Sequence, residues 1–238
     1  MLAYRPQGGA GNDRVLISLQ DLSGANNATF APPLCGQSGQ CRMYIWTMTT
    51  PNRDGSLENE IIVHEMTHGI ANRMTGGGTG RCLQTTEVGG MGEGWPDAFA
   101  EFQESATITD YIMGAYVYKP AGIRNYPYTT NPYSSIASLN EVHIRFSTTA
   151  ATNPDGPGGN IVFLHLFIDA LALQPCDPTF VSAREAWIQT DKNRYNGANK
   201  FLLWEAFASL GLGVNANNYR GFYLYYRSAQ HVEALIHT

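Results

Sequence analysis

The rhythm of apolar and polar positions changes about a quarter of the way along the chain. Before residue 55 the apolar residues come in short runs, Val15-Leu16-Ile17-Ser18-Leu19 and Met43-Tyr44-Ile45-Trp46-Thr47-Met48. Both are rich in strand-forming residues, and they predict β-strands. Residues 24–33 read as loop and 51–55 as a turn. From residue 56 the runs lengthen to helical size. The first predicted helix spans 57–74, with Ser56 as its cap and Glu58 and Glu60 in the first turn, where carboxylates suit the helix dipole. Gly76-Gly77-Gly78 stops it. A second helix is predicted over 93–106. Residues 114–160, rich in Tyr, Pro, Asn, Ser and Thr, read mostly as loop. Three more helices are predicted over 161–173, 178–190 and 198–210, with Gly211 just beyond the last. An aromatic tail follows over 219–226. The expected fold class is α+β, mainly α, in one continuous domain. Its strands lie in 1–55 and its helices in 56–238.

The most informative polar positions sit inside the first helix. His64-Glu65-Met66-Thr67-His68 is a His-Glu-x-x-His pattern. Residues four apart share one helix face, so His64 and His68 can direct two imidazoles at one point, half of a tetrahedral zinc (Zn2+) site. Glu65 stands close enough to meet a water at the same metal, which makes it the candidate general base of a metalloprotease. A catalytic zinc needs a third protein ligand, and Glu87, Glu93, Asp97, Glu101 and Glu104 all follow. Spacing favours Glu93 and Asp97, four apart at the start of the predicted second helix, where Pro96 would be tolerated in a first turn. Glu93 is then the ligand, and Asp97 accepts the free N–H of His64 and so orients it. Glu101 extends the same face but points deeper. A third histidine six residues after His68 would indicate a metzincin; that position is Met74.

Composition narrows the partners. The net charge is −5 and no Lys/Arg cluster is present, which argues against nucleic acid and anionic membrane surfaces. The longest apolar run, 161–173, is interrupted by His165 and Asp169 and is too short to span a bilayer. The first residues have no apolar stretch of the kind a signal peptide needs. Of four cysteines, Cys35 and Cys41 are spaced for a local disulfide, while Cys82 and Cys176 either pair or stay free. His165, His231 and His237 receive no role.

Together, His64 to Gly77 and Glu87-Val88-Gly89-Gly90-Met91-Gly92-Glu93-Gly94-Trp95-Pro96-Asp97 resemble the fungalysin family of secreted fungal zinc metalloproteases, distant relatives of thermolysin. Further matches are Gly8-Gly9-Ala10-Gly11-Asn12-Asp13, Asn26-Asn27-Ala28, Met43-Tyr44-Ile45-Trp46, Leu173-Gln174-Pro175-Cys176 and Gly211-Leu212-Gly213-Val214-Asn215-Ala216. The resemblance implies a thermolysin-like fold, in which 1–55 is a remnant of the N-terminal β-rich lobe and 56–238 the helical catalytic lobe. It implies His64, His68 and Glu93 as zinc ligands and Glu65 as base of an extracellular, monomeric endopeptidase acting on protein or peptide substrates. Such enzymes are made with a propeptide, which this sequence does not contain. Asn27 and Ala28 are implied on an edge strand that holds substrate as an added strand, and His143 as donor to the oxyanion. An assisting tyrosine stays open among Tyr111, Tyr116, Tyr118, Tyr126, Tyr128 and Tyr133. The sequence departs from the family at Met66, where a tyrosine is expected, and at Pro96, where a small residue is expected. After His143, residues 144–152 stand in place of a helix, as an internal deletion would leave them. A non-catalytic zinc-binding relative is the alternative reading.

Overall fold

The computed structural model describes residues 13–32, 36–77, 80–83, 86–104, 111–118, 122–124, 127–128, 156 and 158–217. The fold is α+β and mainly α. Three short strands, β1 (Leu16–Ser18), β2 (Ala28–Ala31) and β3 (Gln40–Met43), form a sheet in the order β1-β3-β2. The first pair is parallel and the second antiparallel. Strands β4 (Ile45–Trp46) and β5 (Arg53–Asp54) make a separate antiparallel pair. The helices are α1 (Asn59–Met74), α2 (Thr86–Glu104), α3 (Ala115–Tyr118), α4 (Gly159–Leu173), α5 (Phe180–Tyr195) and α6 (Lys200–Ser209).

Several sequence expectations are corrected here. The 24–33 stretch is not loop throughout, because β2 lies within it. The apolar run 43–48 is split between β3 and β4 rather than forming one strand. Ser56 does not cap α1. It lies in a 3-10 turn whose own cap is Asp54, and the Asp54 carboxylate accepts from the Ser56 N–H at 2.9 Å. The α1 cap position falls to Glu58, which makes no side-chain cap bond. Glu58 and Glu60 reach across the chain instead. They accept from the main-chain N–H groups of Tyr116 (2.9 Å) and Gly114 (2.5 Å), tying the α3 segment to the start of α1. The second helix starts at Thr86, so Pro96 sits in its interior rather than its first turn.

Helix α1 is weakly amphipathic in sequence because both of its sides are covered. Ile61 joins Ala28, Cys41, Met43, Trp46 and Val117 in a small core against the strands. Ala71 and Met74 belong to the larger helical core with Met91, Trp95, Phe163, Phe167, Trp187 and Phe207. At the centre of that core Trp95 stacks on Trp187, with ring centroids 5.9 Å apart. Two glycines permit close approaches along α1. A Cβ on Gly69 would lie 2.6 Å from the tip of the Phe30 ring, so a side chain there would force that ring to move. Gly76 follows the helix with φ +62°, and a Cβ there would lie 2.4 Å from Cys82 Sγ.

Cys82 is bonded to Cys176. The bridge joins residues 94 apart in sequence and fastens the connection between α1 and α2 to the α4–α5 connection. In the chain-entropy picture a loop of that length restricts the unfolded state by roughly 4–5 kcal/mol. The Cys35–Cys41 pairing that the spacing would allow does not form. Cys41 keeps a free thiol, fully buried in β3 beneath α1, and Cys35 lies outside the described residues. No helix among the described residues is long and apolar enough to cross a membrane. The aromatic tail and most of 114–160 also lie outside the described residues.

Candidate metal centre

The sequence of α1 sets His64 and His68 one turn apart, and their rings lie edge to face with centroids 4.7 Å apart. Helix α2 packs alongside and delivers a carboxylate to both. Glu93 Oε2 is 3.2 Å from His64 Nε2, and Glu93 Oε1 is 3.8 Å from His68 Nε2. Two ligand atoms each about 2 Å from a tetrahedral zinc stand about 3.3 Å apart. The first spacing matches that value and the second is half an ångström wider. The ligating atoms of His64, Glu65 and His68 also fall within 4.8 Å of one another. Two imidazoles and a carboxylate, with a second carboxylate beside them, form a donor set suited to zinc.

Asp97 lies one turn beyond Glu93 and is 2 % exposed. Its Oδ1 is 2.6 Å from His64 Nδ1, so Nε2 is left to face Glu93. The same carboxylate accepts from Arg124 Nε and Nη2, both at 2.7 Å, and from the Tyr128 hydroxyl. Arg124 is not singled out by the sequence, and Tyr128 only as one of six candidates for a tyrosine that assists the oxyanion. They come from a Tyr/Pro/Asn-rich stretch without periodicity, and nothing in their spacing links them to α2. Tyr128 donates to Asp97, so among the six tyrosines it is placed behind the histidines and not over the metal position.

Charge and burial set the protonation of these groups. Burial is the largest single influence on both His64 and Asp97 and disfavours their charged forms, but their mutual hydrogen bond, the bonds to Glu93 and Arg124 and the surrounding charges together outweigh it. Asp97 is held down at about 2, with Arg124 adding to the effect, and His64 is raised to about 9, with Glu93 adding to it. Glu93 is lowered, first by its bond to His64. His68 is lowered, first by burial and then by the neighbouring His64. Glu65, 5 % exposed, is pushed up to about 7, chiefly by burial, with His64 opposing and Glu93 adding. A carboxylate poised near neutrality suits a proton acceptor.

The remaining acids of the sequence short list have other roles or positions. Glu87 accepts from the Phe180 N–H at 2.6 Å and so caps α5. The side chain of Glu104 is outside the described residues. Glu101 points into the core, as its place on the face implied. Its Oε2 has no hydrogen-bond partner among the described residues, and its carboxyl is pushed up from 4.5 to about 8 by burial and then by Asp97. A raised carboxyl favours folding fully below pH 4.5, and this advantage is lost as pH rises through 8, because the unfolded chain ionises first. Glu101→Gln should therefore raise the stability of the metal-free protein at pH 8 by about 2–4 kcal/mol and leave it nearly unchanged at pH 4. Urea unfolding at the two pH values measures the difference, and an equal effect at both would contradict it.

A cleft of roughly 400 Å³ opens over the histidines. Ala28 and Phe30 line it from β2, an edge strand of its sheet, Asn27 from just before that strand, Glu65 from α1, Glu93 from α2, and Arg124 from the segment after α3. Asn27 and Ala28 are thus brought to the same cleft as the histidines. His143 lies outside the described residues. His165 is bonded to Tyr195 at 2.8 Å between α4 and α5, and His231 and His237 are outside the described residues.

The family model described as fungalysin metallopeptidase (M36) matches residues 4–146 and 143–216. The chain is 45% identical over 246 aligned positions to an extracellular metalloproteinase of Pyricularia oryzae, covering 88% of this chain and 39% of the relative. It is 44% identical over 245 positions to one of Aspergillus flavus, with the same coverage of both. It is 43% identical over 248 positions to extracellular metalloproteinase 1 of Arthroderma otae, covering 89% of this chain and 39% of the relative. The chain therefore spans about two fifths of the length of these relatives. With both matched segments together reaching from residue 4 to residue 216, the chain belongs to the fungalysin metallopeptidase family.

Proposed function

We propose that this chain is a zinc metalloendopeptidase with a thermolysin-like arrangement, hydrolysing internal peptide bonds of proteins or peptides. The observation that carries the reading is the convergence of His64 Nε2 and His68 Nε2 on the Glu93 carboxylate, with Glu65 buried beside them. His64, His68 and Glu93 would hold the ion, which when bound supplies Lewis-acid polarisation of the scissile carbonyl and a water acidified to a pKa near 7. Glu65 takes the proton of the attacking water and passes it to the departing amine. Asp97 holds the His64 ring through Nδ1. The outer edge of β2 offers main-chain groups to an extended substrate, with Asn27 and Ala28 at the cleft wall. His143 is the proposed donor to the oxyanion, on the resemblance alone. Secretion is proposed from the relatives' designation as extracellular, and with it a propeptide that precedes activation. A monomer completes the proposal.

The non-catalytic alternative has one observation in its favour. The family match comes in two segments meeting at 143–146, and the 246 positions aligned with the Pyricularia oryzae relative exceed the 238 residues of this chain. The relative thus has residues that this chain lacks, and the join falls beside His143. One preparation separates the readings. Zinc per chain should be one, and casein cleavage should be lost on chelation and return on adding zinc. One zinc without cleavage favours the non-catalytic relative, and no zinc overturns both readings.

A further inference from the structure

Met113, Ile123 and Arg124 form one part of the cleft wall, and all three flank the single turn α3. One turn of helix does not hold itself in place, so this wall depends on its attachments. Within the segment the Ile123 N–H donates to the Met113 carbonyl at 2.9 Å. Gly122 permits that approach: its φ is +73°, and a Cβ there would lie 2.5 Å from Met113 O. Met113 and Ile123 are thereby joined. Arg124 ties one end of the segment to Asp97 on α2. The other end is tied to α1. The Glu60 carboxylate accepts from the Gly114 N–H at 2.5 Å, and the Glu58 carboxylate, itself buried, accepts from the Tyr116 N–H at 2.9 Å. Glu60 precedes His64 by about one helical turn. The helix that carries both histidines therefore also grips the residue next to Met113.

We infer that Glu60, with Glu58 beside it, is a positioning residue for substrate: by accepting from the main chain at 114 and 116 it sets Met113 and Ile123 in the cleft wall at a fixed place relative to His64. It acts through the wall and not on the metal. Hydrogen bonds to an ionised carboxylate are roughly twice as strong as neutral ones. Here they go to main-chain groups, so they fix the path of the segment and not a single rotamer. A wall fixed in advance spares substrate binding the entropy of ordering it. Without the tie, a peptide would have to order the wall as it binds, while a ligand that touches only the metal would be unaffected.

The inference rests on the proposed catalytic reading, and two inhibitors separate the two. Acetohydroxamic acid probes the metal position alone, whereas a peptidyl hydroxamate also fills the cleft. Glu60→Ala should weaken inhibition by the peptidyl hydroxamate about tenfold and raise KM for a quenched fluorescent peptide to match. Inhibition by acetohydroxamic acid should not change. Glu60→Gln keeps an oxygen for the Gly114 N–H and should lie between the parent and Glu60→Ala. In the metal-free protein, amide hydrogen exchange over 113–118 should be faster in Glu60→Ala and in Glu58→Ala than in the parent. If Glu60→Ala does not fold, Glu60→Asp, one methylene too short for the bond, reads the same loss. A merely structural role lowers the amount of folded enzyme, and with it kcat, but leaves both inhibition constants and KM as they were; that result overturns the inference. Equal weakening of both hydroxamates overturns it too, because the effect would then lie at the metal. Unchanged exchange at 113–118 removes the inference alone. A parent that neither hydroxamate inhibits removes the catalytic reading, and the inference with it.

Discussion

Glu65→Gln is expected to leave zinc bound at one per chain and to lower kcat/KM for a quenched fluorescent peptide by on the order of a thousandfold. Glutamine keeps the shape of the side chain in a position only 5 % exposed, so the packing beneath β2 is retained. The ligating atoms of His64, His68 and Glu93 are untouched. What is lost is a group able to accept a proton, and positioned proton transfer contributes typically 10²–10⁴-fold. In the parent, burial pushes Glu65 up to about 7, and a bound divalent cation draws it down again. Because the base must be ionised to act, activity is gained as pH rises, and the acid limb of kcat/KM should fall at or below pH 7. The variant's residual activity should lack that limb. Cleavage above a tenth of the parent rate would remove Glu65 from the role of base. Loss of zinc would show that it acts as a ligand instead.

The half of the site built from helical periodicity was legible before any coordinates. A four-residue spacing places His64 with His68 and Glu93 with Asp97 whatever the rest of the fold does, and only the packing of α1 against α2 had to be supplied. Arg124 and Tyr128 were not legible as partners of Asp97. They reach Asp97 from 27 and 31 residues away through a segment with no periodic signal, so only tertiary structure brings them there. The start of α2 was misplaced for a related reason. Gly89, Gly90, Gly92 and Gly94 depress helix propensity, and Pro96 reads as a first-turn residue, yet burial of Val88, Met91 and Trp95 in the helical core carries the helix back to Thr86. Glu60 does lie in the first turn of α1, whereas Glu58 falls at the cap position before it, and both carboxylates have main-chain partners that the sequence did not indicate. Their bonds to Gly114 and Tyr116 are more specific than a helix dipole, and they depend on where the α3 segment comes to rest. Spacing left a Cys35–Cys41 bridge open, but closeness in sequence says nothing about side-chain direction: Cys41 lies in the core under α1 with a free thiol. Cys82 and Cys176, 94 residues apart, had no local signal at all.

Asp97→Ala should combine two separable losses, about 3–5 kcal/mol of stability and roughly 10–100-fold in zinc affinity. The stability loss follows from what the carboxylate balances. Asp97 is 2 % exposed and accepts from His64, from two nitrogens of Arg124 and from Tyr128. Truncation takes from the Arg124 guanidinium, whose side chain is 34% exposed, the carboxylate that accepts from two of its nitrogens, and leaves only the more distant charges of Glu65 and Glu93. Removing one partner of a buried pair costs more than the pair contributes, because the other charge stays behind. Arg124→Met added to Asp97→Ala should therefore recover part of the stability. It should not recover zinc affinity, which depends on His64 Nδ1 having an acceptor. Asp97→Asn keeps an acceptor for the ring but not the charge, and should lie between parent and alanine variant in both measurements. The pH dependence adds a sign. Asp97 is held at about 2, against an ordinary 3.8, so its contribution is present above 3.8 and disappears as pH falls through 2. The stability gap between parent and Asp97→Ala should accordingly narrow in acid. Denaturant unfolding of the metal-free proteins across pH 2–7, with zinc competition at neutral pH, reads both losses. If the double variant regains zinc affinity along with stability, Asp97 acts on the site only through Arg124, and its direct hold on His64 contributes nothing.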